Sequence, residues 1–287
     1  MMKQLRIVLL AFFIVTAAIF TYTTVKRRMQ MDYSGPVIVA KDQVLTVSIS
    51  ATDEDLLQGM QAEDNIDGDV TDTLVVVSRS KFISRGRVHV NYAAFDNNKN
   101  VGTYTREVVY TDYVSPRFHL YAPLRYANGT TGIDYLANIT AEDCLDGVIT
   151  QQIKVSFGNM TVVSSSVTTQ MLTLQVTNSA GDSTVLELTA SMEDYLHYSQ
   201  LSPALKEYIA YVPRGGSIDL RSYIVGVWAA GSNRSFSDVK LTASNVTVDS
   251  KELDLSKEGV YKVVYQLKSA DGQDLGTADL IVVVTED

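Results

Sequence analysis

Residues 62–71 read AEDNIDGDVT, and a closely similar stretch, AEDCLDGVIT, follows 79 residues later at 141–150. Both stretches contain Ala-Glu-Asp-x-x-Asp-Gly. Asp side chains often accept hydrogen bonds from the backbone of a tight turn, and glycine adopts the positive φ that many turns require. The recurrence therefore predicts a structural unit that the chain uses more than once.

The flanking sequence repeats as well. A third, more divergent copy, YIVGVWAAGSNRSFSD at 223–238, has lost the acidic residues of the loop. Each copy follows a proline and an apolar segment, and each is followed by two alternating segments around a polar turn: DNNKN (96–100), NSAGD (178–182) and SADGQD (269–274). Alternation of apolar and polar residues between such turns is typical of half-buried strands in a β-sandwich. The sequence predicts an all-β protein with three sandwich domains at 32–112, 113–194 and 195–287, the last with a degenerate motif.

The N-terminus has a different character. Residues 7–25 contain no charge, and a helix of this length spans roughly 28 Å, close to the thickness of a bilayer core. We predict a cytoplasmic N-terminus at 1–6, a transmembrane signal-anchor at 7–25 and a linker at 26–31. A cleaved signal peptide is the alternative, but no A-x-A site is present, and Lys26, Arg27 and Arg28 follow at once.

Charge is unevenly distributed along the chain. The net charge is −9, but the first 28 residues contain five cations and no acid, so 19 basic and 33 acidic residues remain, a net charge of −14. An acidic body disfavours nucleic acid as a partner, since binding to nucleic acid depends on neutralising phosphates. It leaves protein, polysaccharide and cations as partners.

The first copy and its surroundings resemble the bacterial immunoglobulin-like domains that occur in tandem on Gram-positive surface proteins and in a pesticidal crystal protein. The matching positions of the first domain are Asp64, Asp67, Gly68, Asp69, Thr71, Tyr92, Ala94, Asp96 and Asn100. The second domain keeps Asp143, Asp146, Gly147 and Thr150, with Val148 where the first has Asp69, and the third keeps the later segment EGVYKVVY at 258–265. The resemblance implies immunoglobulin-like sandwiches, exposure on a surface and no catalysis.

No catalytic group is predicted. His89, His119 and His197 are isolated in sequence, and the chain contains no nucleophile elbow and no phosphate-binding loop. The acidic cluster resembles paired catalytic carboxylates only superficially, since the third copy lacks it. We therefore expect a protein that is not an enzyme and needs no cofactor.

The acidic loop has two interpretations. Asp64, Asp67 and Asp69 form a candidate calcium site, because hard oxygen ligands close together on a glycine-bearing loop suit this ion. The alternative is that Asp64, Asp67 and Gly68, and likewise Asp143, Asp146 and Gly147, only form turns, with the carboxylates capping backbone amides.

The predicted function is that of a single-pass membrane protein whose C-terminal body lies outside the cell and serves as a stalk, adhesion or protein-interaction module. Cations flank both ends of the apolar segment, so the external placement rests on the character of the body, and a cytoplasmic body is the alternative. A second hypothesis is a carbohydrate-binding or enzyme-accessory role at the cell wall. Its support is two groups of tyrosines: Tyr110, Tyr113, Tyr121, Tyr126 and Tyr135; and Tyr195, Tyr198, Tyr208 and Tyr211. The alternative is that most of these tyrosines pack within strands and between domains.

Overall fold

The computed structural model describes residues 2–30 and 33–286, and it confirms the predicted class: three immunoglobulin-like β-sandwiches follow one long N-terminal helix. The chain divides into two compact units, Met1–Tyr113 and Val114–Asp287. The first unit contains one sandwich and the second contains two. Residues 31 and 32, where the predicted linker meets the first domain, lie outside the described residues, as do residues 1 and 287.

The N-terminal helix, α1 (Met2–Gln30), is longer than the predicted span and includes most of the predicted linker. Its segment Arg6–Lys26 is long and apolar enough to cross a membrane, and none of it is buried in the protein; an N-terminal signal sequence would pass the same test. The hydroxyl of Thr16 donates to the carbonyl of Phe12 at 3.0 Å, and that of Thr21 to Ala17 at 2.8 Å. These bonds satisfy polar groups that an apolar environment would otherwise leave unpaired.

The sandwiches contain seven strands each. The first has β1 (Val37–Ala40), β2 (Val44–Val47), β3 (Met60–Asp64), β4 (Gly68–Asp69), β5 (Val75–Arg79), β6 (Arg87–Phe95) and β7 (Val101–Tyr110). The second has β8 (Arg117–Leu120), β9 (Arg125–Ala127), β10 (Ile139–Asp143), β11 (Gly147–Val148), β12 (Lys154–Val162), β13 (Val167–Thr177) and β14 (Ser183–Glu193). The third has β15 (Ser202–Leu205), β16 (Ile209–Pro213), β17 (Ile224–Ala229), β18 (Ser232–Arg234), β19 (Val246–Asp249), β20 (Gly259–Lys268) and β21 (Asp274–Thr285).

Short helices connect some of these strands. The α-helices are α2 (Asp53–Leu56) and α3 (Tyr195–Ser199), and the 3₁₀ turns are Thr71–Thr73, Thr150–Gln152, Leu220–Tyr223, Ser237–Val239 and Ala243–Asn245. A capping box begins α2: the Thr52 hydroxyl accepts from the amide of Asp55, and the Asp55 carboxylate accepts from the amide of Thr52. Such reciprocal bonds stabilise a helix start that the short helix alone would not support.

The same strand order recurs in all three domains. A three-stranded sheet has the orders β1-β3-β4, β8-β10-β11 and β15-β17-β18, and a four-stranded sheet has the orders β2-β7-β6-β5, β9-β14-β13-β12 and β16-β21-β20-β19. In each four-stranded sheet, an early strand pairs in parallel with the last strand of its domain, whereas the other pairs are antiparallel. The chain therefore changes sheets between its first two strands in every domain.

This change of sheet brings backbones very close together in the first domain. A Cβ atom added to Gly102 on β7 would lie 1.8 Å from the carbonyl oxygen of Pro36, which directly precedes β1. Glycine is required at this position because the approach leaves no room for any side chain.

Apolar residues that alternate along the strands form the cores. On β6, Val88, Val90, Tyr92 and Ala94 all point inward, and they pack with residues of both sheets in the first domain. The second and third domains share one continuous buried cluster, which runs from Phe118 on β8 to Val284 on β21. This shared core explains why the last two sandwiches form one compact unit.

Candidate functional site

The AEDNIDGDVT segment forms the end of β3, a tight turn and β4. Oδ1 of Asp64 accepts hydrogen bonds from the amides of Ile66 and Asp67, both at 2.9 Å, and Gly68 has a φ of 73°. The carboxylate therefore holds the turn, and the glycine permits the backbone conformation that closes it. These hydrogen bonds are the ones expected if Asp64 and Gly68 serve to form a turn.

Two further aspartates lie beside this turn. Both carboxylate oxygens of Asp67 accept hydrogen bonds from Asn97. One bond comes from the backbone N–H of Asn97 at 2.9 Å, and the other comes from its side-chain Nδ2 at 2.7 Å. Asp96, which follows β6 directly, accepts from the amide of Asn100 at 2.7 Å and from its Nδ2 at 2.6 Å. The β3–β4 turn of one sheet and the β6–β7 turn of the other thus meet at one end of the sandwich.

The structure brings together Asp64, Asp67 and Asp96, with one carboxylate oxygen from each within 4.8 Å of the others. Asp64 is only 4% exposed and Asp96 only 7%. Oδ2 of Asp64 is buried and accepts no hydrogen bond. Asp69 is not a member of this group; its Oδ1 instead accepts from the amide of Thr71 at 2.9 Å. The set predicted from sequence thus keeps two residues and exchanges Asp69 for Asp96.

The second domain repeats the turn with one difference. Oδ1 of Asp143 accepts from the amides of Leu145 and Asp146, and Gly147 has a φ of 67°. Oδ2 of Asp143, however, accepts from Nδ2 of Asn178 at 3.1 Å. Asn178 follows β13 directly, just as Asp96 follows β6 in the first domain.

The second aspartate of the turn also has corresponding hydrogen-bond partners in the first two domains. The carboxylate of Asp146 accepts from the amide and the hydroxyl of Ser179, at 2.6 Å and 2.7 Å. In the third domain, Ala230 and Gly231 form the corresponding turn between β17 and β18, both with positive φ, and neither residue offers a carboxylate. Among the described residues, the acidic group is therefore complete only in the first domain.

A different cluster lies where the second and third domains pack together. Nδ1 of His119, on β8, is 2.6 Å from Oε1 of Glu207, which lies between β15 and β16. Nε2 lies 2.9 Å from Oε1 of Glu142 on β10, within ion-pair distance but not aligned for a hydrogen bond. The hydrogen bond to Glu207 and the charges of both glutamates raise the pKa of His119 above its ordinary value of 6.5, although partial burial opposes them.

A buried ion pair stabilises the same region. Nε and Nη2 of Arg125, on β9, donate to both carboxylate oxygens of Glu193 at 2.6 to 3.2 Å. Nη1 of Arg125 also donates to the hydroxyl of Ser202 at 2.8 Å, and Nη2 donates to the carbonyl of His197. Burial opposes ionisation of Glu193, but the bonds from Arg125 and Ser191 outweigh it and lower the pKa of this carboxyl.

A cavity of about 560 Å³ lies next to this pair, between the second and third domains. Its lining includes Arg125, Glu187, Glu193, Lys262, Thr277 and Asp279. The nine tyrosines named in support of carbohydrate binding lie in three environments: two are exposed, two are buried, and five are half-buried, namely Tyr110, Tyr126, Tyr135, Tyr198 and Tyr211. Tyr121 and Tyr195 are 52% and 76% exposed, whereas Tyr113 and Tyr208 are buried in packing contacts.

Sequence reasoning missed the His119 and Arg125 clusters. His119 and Glu207 are 88 residues apart, and Arg125 and Glu193 are 68 residues apart. No spacing motif connects such positions. The packing of the second and third domains brings His119 to Glu207, and the parallel pairing of β9 with β14 brings Arg125 to Glu193. The sequence placed Asp96 in the DNNKN turn. It did not indicate that this turn meets the AEDNIDGDVT turn in the folded domain.

No known family model matches the chain, and no curated protein sequence matches it. Among solved structures, it is similar to the M60 catalytic domain with the CBM51-1 and CBM51-2 domains of Clostridium perfringens ZmpB, at 13% identity and a TM-score of 0.23, over 88% of this chain and 31% of that one. It is similar to Drosophila N-cadherin EC1-4, at 14% identity and a TM-score of 0.22, over 89% and 76% of the two chains. It is also similar to the lipoprotein BT2262 of Bacteroides thetaiotaomicron, at 13% identity and a TM-score of 0.20, over 86% and 98%. At such low identities and TM-scores, these similarities do not assign the chain to a family.

Proposed function

We propose that this chain is a membrane-anchored protein of the bacterial immunoglobulin-like type, whose β-sandwich body lies outside the cell and serves as a non-enzymatic stalk or adhesion module for a protein or polysaccharide partner. The observation that carries the proposal is the exposed apolar helix, whose segment Arg6–Lys26 has no part buried in the protein. Exposed apolar surface of this extent is costly in water and favourable in a bilayer.

Anchoring is tested with two matched substitutions. Val15→Lys places a charge near the centre of the apolar segment, which costs about 2.5–3.5 kcal/mol of insertion free energy. Val37→Lys makes the same change at an exposed position of β1, where Val37 is 66% exposed. We expect Val15→Lys to reduce the membrane-bound fraction of the full chain, and Val37→Lys to leave it unchanged. Equal fractionation of all three proteins would contradict anchoring by α1.

Placement of the body is tested by adding protease to intact cells that produce the full chain with a C-terminal epitope. We expect loss of the epitope from intact cells, while a cytoplasmic marker protein stays whole. An epitope that is protected in intact cells and lost only after lysis would overturn the external placement and favour a cytoplasmic body.

A second candidate function, glycan binding, is favoured by the cavity of about 560 Å³ between the second and third domains, which has polar and charged groups in its lining. This volume lies within the range of about 300–1,000 Å³ that is common for small-molecule sites. Thr277→Tyr would fill the cavity, and Thr247→Tyr makes the same change at an exposed residue of β19 that does not line the cavity. Glycan-array signals that Thr277→Tyr alone removes would support this function, and a blank array with the folded wild type would count against it.

A further inference from the structure

The first domain contains a buried carboxylate oxygen that no protein group satisfies. Oδ2 of Asp64 accepts no hydrogen bond, although Asp64 is only 4% exposed. A buried acceptor without a partner is costly, and a buried negative charge more so. We propose that Asp64, Asp67 and Asp96 bind a calcium ion, and that the ion is the missing partner of this oxygen.

The second domain shows how the same position is satisfied without an ion. There Oδ2 of Asp143 points toward the residue that follows β13 and accepts from Nδ2 of Asn178 at 3.1 Å. In the first domain the residue at this position is Asp96, whose carboxylate oxygen cannot donate when it is ionised. The exchange of an amide for a carboxylate turns an internal hydrogen bond into two acceptors that face one another. A cation between them restores the attraction.

No protein cation takes this role within residues 33–286. None of the lysine, arginine or histidine side chains described there forms an ion pair with Asp64, Asp67 or Asp96. The hydrogen bonds that the group does receive come from neutral donors. These are the backbone amides of Ile66, Asp67, Asn97 and Asn100 and the side-chain Nδ2 groups of Asn97 and Asn100. Three formal negative charges therefore converge without a countercharge from this part of the protein.

The chemistry of the group favours calcium over other cations. All three side chains offer only oxygen, and neither histidine nor cysteine takes part in the group, which disfavours zinc and the softer transition metals. Calcium binds oxygen ligands at about 2.3–2.6 Å, so ligands on opposite sides of the ion are about 5 Å apart. The ligand oxygens here lie within 4.8 Å of one another. Backbone carbonyls and water would complete the larger and less regular shell that calcium accepts and magnesium does not.

The position of the site gives the ion a structural role. Asp64 ends β3 in the three-stranded sheet, and Asp96 follows β6 in the four-stranded sheet. An ion bound to both would connect the two sheets at one end of the first sandwich. Calcium should therefore stabilise the first unit and leave the melting temperature of the second unit unchanged.

The test is a calorimetric titration of the full chain in detergent, first treated with a chelator and then titrated with calcium chloride. We expect one equivalent of calcium per chain with a dissociation constant of about 10⁻⁵ to 10⁻³ M, and much weaker binding of magnesium chloride. Folded wild-type protein that binds no calcium up to about 10 mM would overturn the proposal. A melting temperature of the first unit that does not rise with calcium would also overturn it.

Two matched variants locate the site. Asp96→Asn introduces the amide that the second domain uses, so the variant should fold, and its calcium affinity should fall at least about 100-fold. Asp69→Asn makes the same change in the neighbouring aspartate that lies outside the group, and it should bind like wild type. Circular dichroism checks that each variant is folded, and Asp67→Asn replaces Asp96→Asn if the latter is not. Calcium binding that survives Asp96→Asn, or that Asp69→Asn removes, would place the ion elsewhere.

Discussion

The ion pair between Arg125 and Glu193 gives the sharpest test of what stabilises the second unit. Glu193→Gln keeps the shape of the side chain but removes the negative charge and turns an amide NH₂ toward the guanidinium. Loss of one partner of a buried ion pair costs about 3–5 kcal/mol, and a hydrogen bond to a charged group contributes about 1.5–3 kcal/mol. Because one acceptor oxygen remains, and because the hydroxyl of Ser202 and the carbonyl of His197 still accept from Arg125, we expect a loss of about 3 kcal/mol in the free energy of unfolding.

Trp228 provides the assay. It is the only tryptophan of the chain, and it pairs with Ser202, the residue whose hydroxyl accepts from Arg125. Its fluorescence during urea unfolding therefore reports on the region around the ion pair. With a denaturant slope of about 2 kcal/mol per molar, a loss of about 3 kcal/mol lowers the urea midpoint by about 1.5 M.

The control is Glu187→Gln, the same change at an exposed position of the same strand, which should alter stability by less than about 0.5 kcal/mol. A double-mutant cycle with Arg125→Met separates the coupling between the two side chains from their individual effects. A midpoint for Glu193→Gln within about 0.3 M of wild type would refute the reasoning, because it would mean that the charge of Glu193 contributes little in this buried site.

Three further predictions concern other parts of the molecule. The raised pKa of His119 means that its protonated form stabilises the second unit fully below the unfolded-state value of 6.5, and that this contribution is lost as the pH rises through the folded-state pKa. Urea midpoints should therefore fall as the pH rises above 6.5 in wild type and fall less in His119→Gln, and equal slopes would contradict this. Tyr92→Phe removes the hydrogen bond from a fully buried hydroxyl to the carbonyl of Leu56, and calorimetry should show a loss of about 1 kcal/mol, or about 4–8 °C in the melting temperature of the first unit; an unchanged melting temperature would speak against this contribution. Gly102→Ala forces a Cβ against the carbonyl of Pro36, so we expect the first unit to lose about 1–3 kcal/mol or more, and a normal melting temperature would show that β1 can move away at little cost.

Much of the fold could be predicted from local pattern. The alternation on β6 and on the strands that follow the acidic loops predicted the sandwich class, because a strand with one buried face needs apolar residues at every second position. The turn at Gly68 also follows from local chemistry, since the hydrogen bonds of Asp64 reach only two and three residues along the chain. The parallel pairing of β2 with β7 left no such signal, because four residues of strand look the same in either direction.

Only the part of the candidate site that lies on one turn could be predicted from the sequence. Asp64 and Asp67 lie on one turn, so their proximity follows from three residues of separation. Asp96 lies 29 residues beyond Asp67 and reaches the group only because β6 runs back across the sandwich to the same end as β3. In sequence, Asp69 looked as suitable a ligand as Asp64 and Asp67. In the structure it lies on β4, where it pairs with Glu63 of β3, and its carboxylate accepts a hydrogen bond from the backbone amide of Thr71.

The parallel strand pairs described above also determine how each domain responds to mechanical tension. A force that pulls the two ends of a domain apart acts first on its first strand, in the three-stranded sheet. Once that strand has come away, the force acts on the start of the early strand and on the end of the last strand, which lie at opposite ends of the paired segment. Every hydrogen bond between two parallel strands is then sheared at the same moment, instead of opening one after another. The paired segment covers four positions in the first domain, three in the second and five in the third. In an anchored chain that is pulled by a distant partner, we expect the second domain to yield at the lowest force.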